Sequence, residues 1–261
     1  MVELRAIYIM WLRDLKKLFR AKERIIGSVA MPLIFLTFLG FGFGGVHIPG
    51  LSSKIDYVKF LVPGVIGMNM LFGSMFSGIS VLWDKEFGFL KEIMVAPVSR
   101  ISIALGRIAG GATTGLVQGN ILFAISFFFG FTLDPGFSIY RIILGYLLMI
   151  VFMMLISFNF ISLGLIFASN MRDAEGFELI INFVMFPLFF LSGAISPISN
   201  LPGWLRVLAY ANPLTYGVDG IRGALIGSAM FPVGFDLGVC ILFAAAMISL
   251  AAFFFDRSES I

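Results

Sequence analysis

Six apolar runs, each long enough to cross a bilayer, limit this chain more than any other feature. Charged residues are scarce over about 25–45, 59–83, 101–131, 139–168, 177–194 and 236–255. A hydrocarbon core of roughly 30 Å calls for about twenty apolar helical residues, and these runs meet or approach that length. With 59% hydrophobic and 13% charged residues and a mean hydropathy of +1.02, a soluble globular domain is excluded. The 31 phenylalanines, 14 methionines and 29 glycines suit lipid-facing and tightly packed helices. The predicted fold class is an all-α integral membrane protein with six transmembrane helices, read as one domain over 1–261. An interfacial amphipathic helix over 3–22 precedes the first span, and two short re-entrant helices over 197–227 precede the last.

Within the runs, Pro32 is expected to kink the first span, and Gly40, Gly42, Gly44 and Gly45 to end it. Pro63-Gly64 interrupts the second span, with Tyr57 and Trp83 placed as interfacial aromatics at its two ends. In the third span Gly106, Gly110, Gly111, Gly115 and Gly119 recur every few residues, so one side of that helix is nearly bare backbone. Leu133-Asp134-Pro135-Gly136 reads as a tight external turn. Ser157, Asn159 and Ser162 either line a path or bond to neighbouring helices. Pro187 breaks the middle of the fifth span, and the single Cys240 reads as a buried thiol that excludes an intrachain disulfide.

The polar stretches are few and distinctive. Over Glu3–Arg20 the residues Leu4, Ile7, Tyr8, Trp11, Leu15 and Leu18 share one helical face opposite Arg13, Lys16, Lys17 and Arg20. Such a helix lies along a membrane, its basic side toward anionic headgroups or a partner. Residues 84–100 form a charged elbow between the second and third spans. Its charges (Asp84, Lys85, Glu86, Lys91, Glu92) suit water, while Phe87, Phe89, Leu90, Ile93 and Met94 give a short helix one apolar face. Ala96-Pro97 stops that helix and Val98-Ser99-Arg100 turns the chain back. The elbow is either a docking element or an ordinary solvated loop. In the segment Pro197–Gly227, Ser199 or Asn200 caps a short helix that starts at Pro202 and carries Trp204; Asn212-Pro213 breaks it, and a second amphipathic piece runs on through Tyr216. Neither piece is long enough to span. Thirteen of the eighteen Lys and Arg fall in or beside the N-terminal helix, the elbow, the turn near 169–178 and the tail, which puts that side and both termini in the cytosol. No cleavable signal segment is expected.

Several chemistries have no residues to carry them. The sequence holds no G-x-x-x-x-G-K-[ST] loop for ATP, and one His47 and one Cys240 cannot assemble a catalytic triad or a metal site. Lys59, Arg141, Glu178 and Asp236 fall near span ends within reach of headgroups or water, which argues against a buried ionisable relay.

Three stretches carry a family resemblance: Tyr57–Gly64; Asp84–Gly88 with Ala96–Arg100; and Leu191–Pro197 through Leu201-Pro202, Asn212–Tyr216 and Asp219–Arg222. The chain resembles the permease subunits of type-2 ABC exporters, above all daunorubicin-resistance-type permeases and their relatives that export nodulation lipo-oligosaccharides and polysaccharides. The resemblance implies that Asp84, Lys85, Glu86, Phe87, Gly88, Leu90, Lys91, Ala96, Pro97, Val98, Ser99 and Arg100 sit in a cleft of a separate ABC ATPase, with the helix bearing Trp11, Arg13, Lys16, Lys17 and Arg20 beside it. It implies two ATPase subunits that hold ATP and Mg, a second copy of this permease or a close paralogue, no cofactor in this chain and no nucleic acid. It also implies a cargo path between two permeases, lined by the first, second and fifth spans and closed outside by Pro197, Pro202, Trp204, Asn212, Pro213 and Tyr216. The setting would be the plasma membrane of a prokaryote. The function expected is export of an amphipathic drug-like or lipid-linked substrate, the alternatives being polysaccharide or lipo-oligosaccharide export and, in a different class, a motor-independent channel or scaffold.

Overall fold

In the computed structural model the described residues are 3–20, 22–43, 56–86, 99–134, 136–171 and 173–257, and among them every regular element is helical. In chain order these are α1 (Leu4–Arg20), α2 (Lys22–Phe43), α3 (Tyr57–Ser77), α4 (Ile79–Glu86), α5 (Arg100–Ser126), α6 (Ile139–Asn170), α7 (Ala174–Leu191), α8 (Gly203–Tyr210), α9 (Pro213–Ile226) and α10 (Val233–Arg257). Single 3₁₀ turns occupy Phe127–Phe129 and Ile198–Asn200. Among the described residues, six helices are long and apolar enough to cross a membrane: α2, α3, α5 with its 3₁₀ extension, α6, α7 and α10. Residues 87–98, which hold most of the elbow, lie outside the described residues.

α3 is the hub. It is buried almost without interruption from Tyr57 to Leu71 and packs against α2, α5, α6, α7 and α9. Lipid offers no hydrophobic drive for helix association, so close van der Waals approach must supply the attraction. At the end of α3 that approach is backbone on backbone. A Cβ on Gly78 would stand 2.7 Å from the carbonyl carbon of Gly164 on α6, and one on Gly164 would stand 2.8 Å from the Met75 carbonyl oxygen. Any side chain at either position would push the two helices apart.

Local chemistry marks the ends. Ser99, Ser138, Asp173 and Asn212 are N-caps whose side-chain oxygens accept backbone N–H groups of α5, α6, α7 and α9. Gly227 closes α9 at φ 69°, a left-handed geometry that favours glycine. Pro32, Pro63 and Pro187 all lie inside helices. The fifth span is therefore continuous through Pro187, contrary to the break expected there, because packing neighbours in a membrane protein compensate for the missing N–H.

Further expectations change. The second apolar run divides at Gly78 into α3 and α4. The five glycines of α5 serve two faces: Gly106 and Gly110 meet α1, while Gly111, Gly115 and Gly119 meet side chains of α3 and α6. Tyr57 is buried and donates its hydroxyl to the Ile195 carbonyl at 3.2 Å, so it is a tertiary tie and not an interfacial aromatic. Ser157 and Asn159 resolve toward helix bonding, since Ser157 Oγ reaches Met70 Sδ and the Asn159 amide donates to the carbonyls of Leu155 and Cys240. Replacing Gly164 with Leu should cost on the order of 1–3 kcal/mol by overpacking. A thermal-unfolding midpoint in detergent that matched the native protein's would contradict that backbone crossing.

Candidate functional site

At one end of the molecule α1 lies along the first half of α5, and the two run in the same direction. The Glu3 backbone N–H donates to Ser102 Oγ at 2.8 Å, and the Trp11 Nε1–H donates to Thr113 Oγ1 at 2.9 Å. Between these ties Gly106 and Gly110 leave bare backbone on α5. A Cβ at Gly106 would stand 2.6 Å from Met10 Cβ, and one at Gly110 would stand 2.8 Å from Asp14 Cβ. Ala6, Met10 and Leu18 are buried in consequence, while Leu4, Tyr8, Ile9 and Phe19 stay exposed beside the exposed Lys16, Lys17 and Arg20. Arg13 lies 3.5 Å from Asp14.

The elbow leads from α4 into this unit. Asp84, Lys85 and Glu86 form the last turn of α4, Ser99 caps α5 and Arg100 opens it. Ser99 Oγ is 2.7 Å from Ser102 Oγ, the same hydroxyl that receives the Glu3 N–H. Phe87, Gly88, Leu90, Lys91, Ala96, Pro97 and Val98 lie outside the described residues. The start of α1 and the return of the elbow are thus tied to one serine. Nothing in the sequence singles out Ser102 or Thr113, although the glycine spacing on α5 does mark the seam between them.

The opposite end is built on α7, α8 and α9. Pro197 precedes the 3₁₀ turn and Pro202, not Ser199 or Asn200, caps α8; the carbonyls of Ser199 and Leu201 instead accept from Arg206 at 2.8 and 3.1 Å. On α8 Trp204, Val207 and Leu208 are exposed. α9 differs from the amphipathic piece expected there: nearly its whole length is buried. It binds the loose ends around it. The Asn212 amide donates to the Leu188 carbonyl at 2.6 Å, an acceptor that the end of α7 leaves free. The Thr215 and Tyr216 hydroxyls donate to the carbonyls of Ala209 and Tyr210 at the end of α8, each at 2.7 Å.

Beneath them sits a charged cluster. Arg222 stacks 3.8 Å over the Phe60 ring, donates to the Gly193 carbonyl at 3.0 Å and lies 3.7 Å from Asp219. Asp219 in turn accepts the backbone N–H groups of Met230 at 2.7 Å and Phe231 at 2.9 Å, which fixes the turn into α10. Burial lowers the Arg222 guanidinium to about 10 against the pull of Asp219, so it remains charged at neutral pH. Burial likewise raises Asp219 above the usual carboxylate range, opposed by the Phe231 N–H, Arg222 and the Met230 N–H. Asp236, expected near headgroups or water, is fully buried, and neither of its oxygens has a partner among the described residues. It lies in the first turn of α10, which starts at Val233, ahead of the apolar run expected from 236. No group of three His, Cys, Asp or Glu suited to a metal ion occurs among the described residues.

The sequence pattern of the ABC-2 type transporter family matches residues 5–226, from α1 to the last turn of α9. The chain belongs to the ABC-2 type transporter family. The daunorubicin resistance ABC transporter permease protein DrrB1 of Streptomyces coeruleorubidus is 27% identical over 229 residues, covering 88% of this chain and 77% of that one. The inner membrane transport permease YadH of Escherichia coli K12 is 27% identical over 247 residues, covering 92% of this chain and 91% of its own length. The putative transport permease ycf38 of Cyanophora paradoxa is 29% identical over 233 residues, or 84% of this chain and 77% of that protein. The chain is accordingly a multi-pass membrane permease of the ABC-2 kind.

In this ABC-2 permease, Arg222→Met removes the partner of Asp219 and of the Gly193 carbonyl together. Breaking one side of a buried pair costs about 3–5 kcal/mol, so the variant should lose thermal stability in detergent sharply. Trp11→Phe removes one hydrogen bond between α1 and α5 and should cost about 1 kcal/mol. Its more direct readout is faster hydrogen exchange in α1 with α6 and α9 unchanged; uniform exchange in both proteins would contradict the tie.

Proposed function

We propose that this chain is the membrane-spanning subunit of an ATP-driven exporter, moved by a separate ATP-binding subunit that docks on the elbow 84–100. The supporting observation is the tie of α1 and the elbow's return to one point on α5 through Glu3, Ser99 and Ser102. A push on the elbow then moves α1 and a 27-residue helix together, because at Gly106 and Gly110 the backbone of α5 lies directly against Met10 and Asp14 of α1. The chain itself has no phosphate loop, so ATP and Mg belong to the partner. α1 lies at the cytosolic interface, with Lys16, Lys17 and Arg20 toward headgroups or the ATPase; both termini are cytosolic in a prokaryotic plasma membrane.

The working assembly in this reading is two permeases with two ATPases. α8 and α9 are the outer closure: α8 lies in the interface with Trp204 exposed, and α9 is the re-entrant helix, whose Asn212, Thr215 and Tyr216 satisfy the carbonyl ends of α7 and α8 as irregular membrane backbone requires. The cargo is an amphipathic drug-like or lipid-linked molecule, a reading that leans on the named role of DrrB1 in daunorubicin resistance.

Glu86→Arg and Gly88→Trp test the elbow. Each should abolish ATP-dependent efflux of a fluorescent amphipathic dye from cells while leaving the permease in the membrane at the native amount. Native efflux at equal expression would remove the elbow's proposed role.

A further inference from the structure

A cavity of about 430 Å³ opens inside the single chain between α1, α2, α3 and α5. α7 contributes nothing to its wall, whereas α2 and α3, which a path between two permeases would also use, supply much of it. Its volume falls in the range of pockets for small ligands, well short of a polymer conduit. Much of the wall is apolar, supplied by Met31 of α2 and by Met68, Phe72 and Phe76 of α3.

Two polar side chains on that wall are out of place in an apolar lining. Asn69 is 3% exposed and Gln118 is 4% exposed. The Asn69 Nδ2 and the Gln118 Oε1 are both buried with no hydrogen-bond partner among the described residues. One is a donor and the other an acceptor, and a buried amide left unpaired is unfavourable enough that such groups normally have partners. They are also near neighbours. Gln118 Oε1 stands 3.4 Å from the place a Gly73 Cβ would take, and Gly73 is one helical turn beyond Asn69 on the same side of α3. Two other hydroxyls on the wall are already engaged: that of Thr114 donates to the Gly110 carbonyl, and that of Ser80 donates to the Ser77 carbonyl while accepting from Arg107. The charged residues of the lining, Asp14 and Lys17, are opposite in sign and lie together on α1.

From this arrangement we infer that the cavity binds an uncharged amphiphile whose polar end is a hydroxyl. A hydroxyl donates one hydrogen bond and accepts another, so it satisfies Gln118 Oε1 and Asn69 Nδ2 together. A carboxylate offers no proton to Gln118, and an ammonium accepts nothing from Asn69. The apolar tail lies against Met31, Phe72 and Phe76. Trp83 of α4 also lines the cavity, so an occupant adjoins the helix that leads into the elbow. Such binding stands apart from the export reading, since it is measured without ATP or transport.

The test uses the full chain in phosphatidylcholine nanodiscs with a diazirine-bearing 1-decanol, and the matching decanoate and decylamine probes as charged controls. Photolabelled residues are mapped by mass spectrometry. The decanol probe should label the cavity segments around 68–76 and 114–118, and excess 1-decanol should compete it away. Asn69→Leu and Gln118→Leu should each lower that labelling about fivefold, the size of one neutral hydrogen bond. Gly73→Leu fills the space beside Gln118 and should abolish it, while labelling of lipid-facing Leu242 stays constant as a check on folding. The inference is overturned if the native chain is labelled only at lipid-facing residues such as Phe183 and Leu242, or if competition has no effect. Equal cavity labelling by the charged probes overturns the hydroxyl class.

Discussion

Close approach of helix backbones is the constraint on which the rest of this permease depends. In lipid an apolar side chain gains little by leaving the acyl chains for another helix, so attraction must come from fit and from the few hydrogen bonds that helices share. The chain supplies that fit with glycines at its crossings. Gly78 and Gly164 bring α3 and α6 together, and Gly106 and Gly110 bring α1 against α5. Around these seams α3 becomes an enclosed hub against which α2, α5, α6 and α7 are positioned.

The two ends of the bundle solve different problems. At the α1 end the chain ties α1 to α5, with Glu3 and Ser99 on Ser102 and Trp11 on Thr113. At the other end two short helices leave carbonyls that would go unsatisfied if they faced lipid. Asn212, Thr215 and Tyr216 donate to those carbonyls, and Arg222 holds Gly193 while pairing with Asp219. Polar residues here satisfy the backbone of irregular segments, which is why a charged cluster persists in a protein this apolar. The carboxyl of Asp236 is the exception at this end, buried with no balancing partner among the described residues.

Much of this architecture is legible in the sequence. The six spans follow from run length alone, since crossing lipid forces each helix to be apolar throughout. The same uniformity hides which face is core: Phe72 and Phe183 look alike in sequence, yet one packs on Phe186 and Phe189 while the other is among the most exposed side chains. α9 departs from its expected amphipathic form for that reason, because its length and its Asn-Pro start are equally suited to an interfacial helix and to a buried one. Glycine spacing points to α5 as a packing helix, but a stripe of glycines does not say that two of them serve one neighbour and three serve others. Asn69 and Gln118 carry no sequence signal, since isolated amides in apolar runs gain meaning only when two helices bring them together. The elbow is visible as charge between spans, and its family resemblance assigns it a role that its own residues leave open.

A permease driven through its elbow by a separate motor is tested most directly by co-purification of the detergent-solubilised chain from its native cells. The native chain should bring down an ATP-binding subunit with vanadate-sensitive ATPase activity, and replacement of Ala96–Arg100 by glycine and serine should lose both without reducing recovery of the permease. Recovery of the intact chain with no ATPase, under conditions that preserve a known transporter complex, would contradict the motor-driven account and favour a protein that works without a motor.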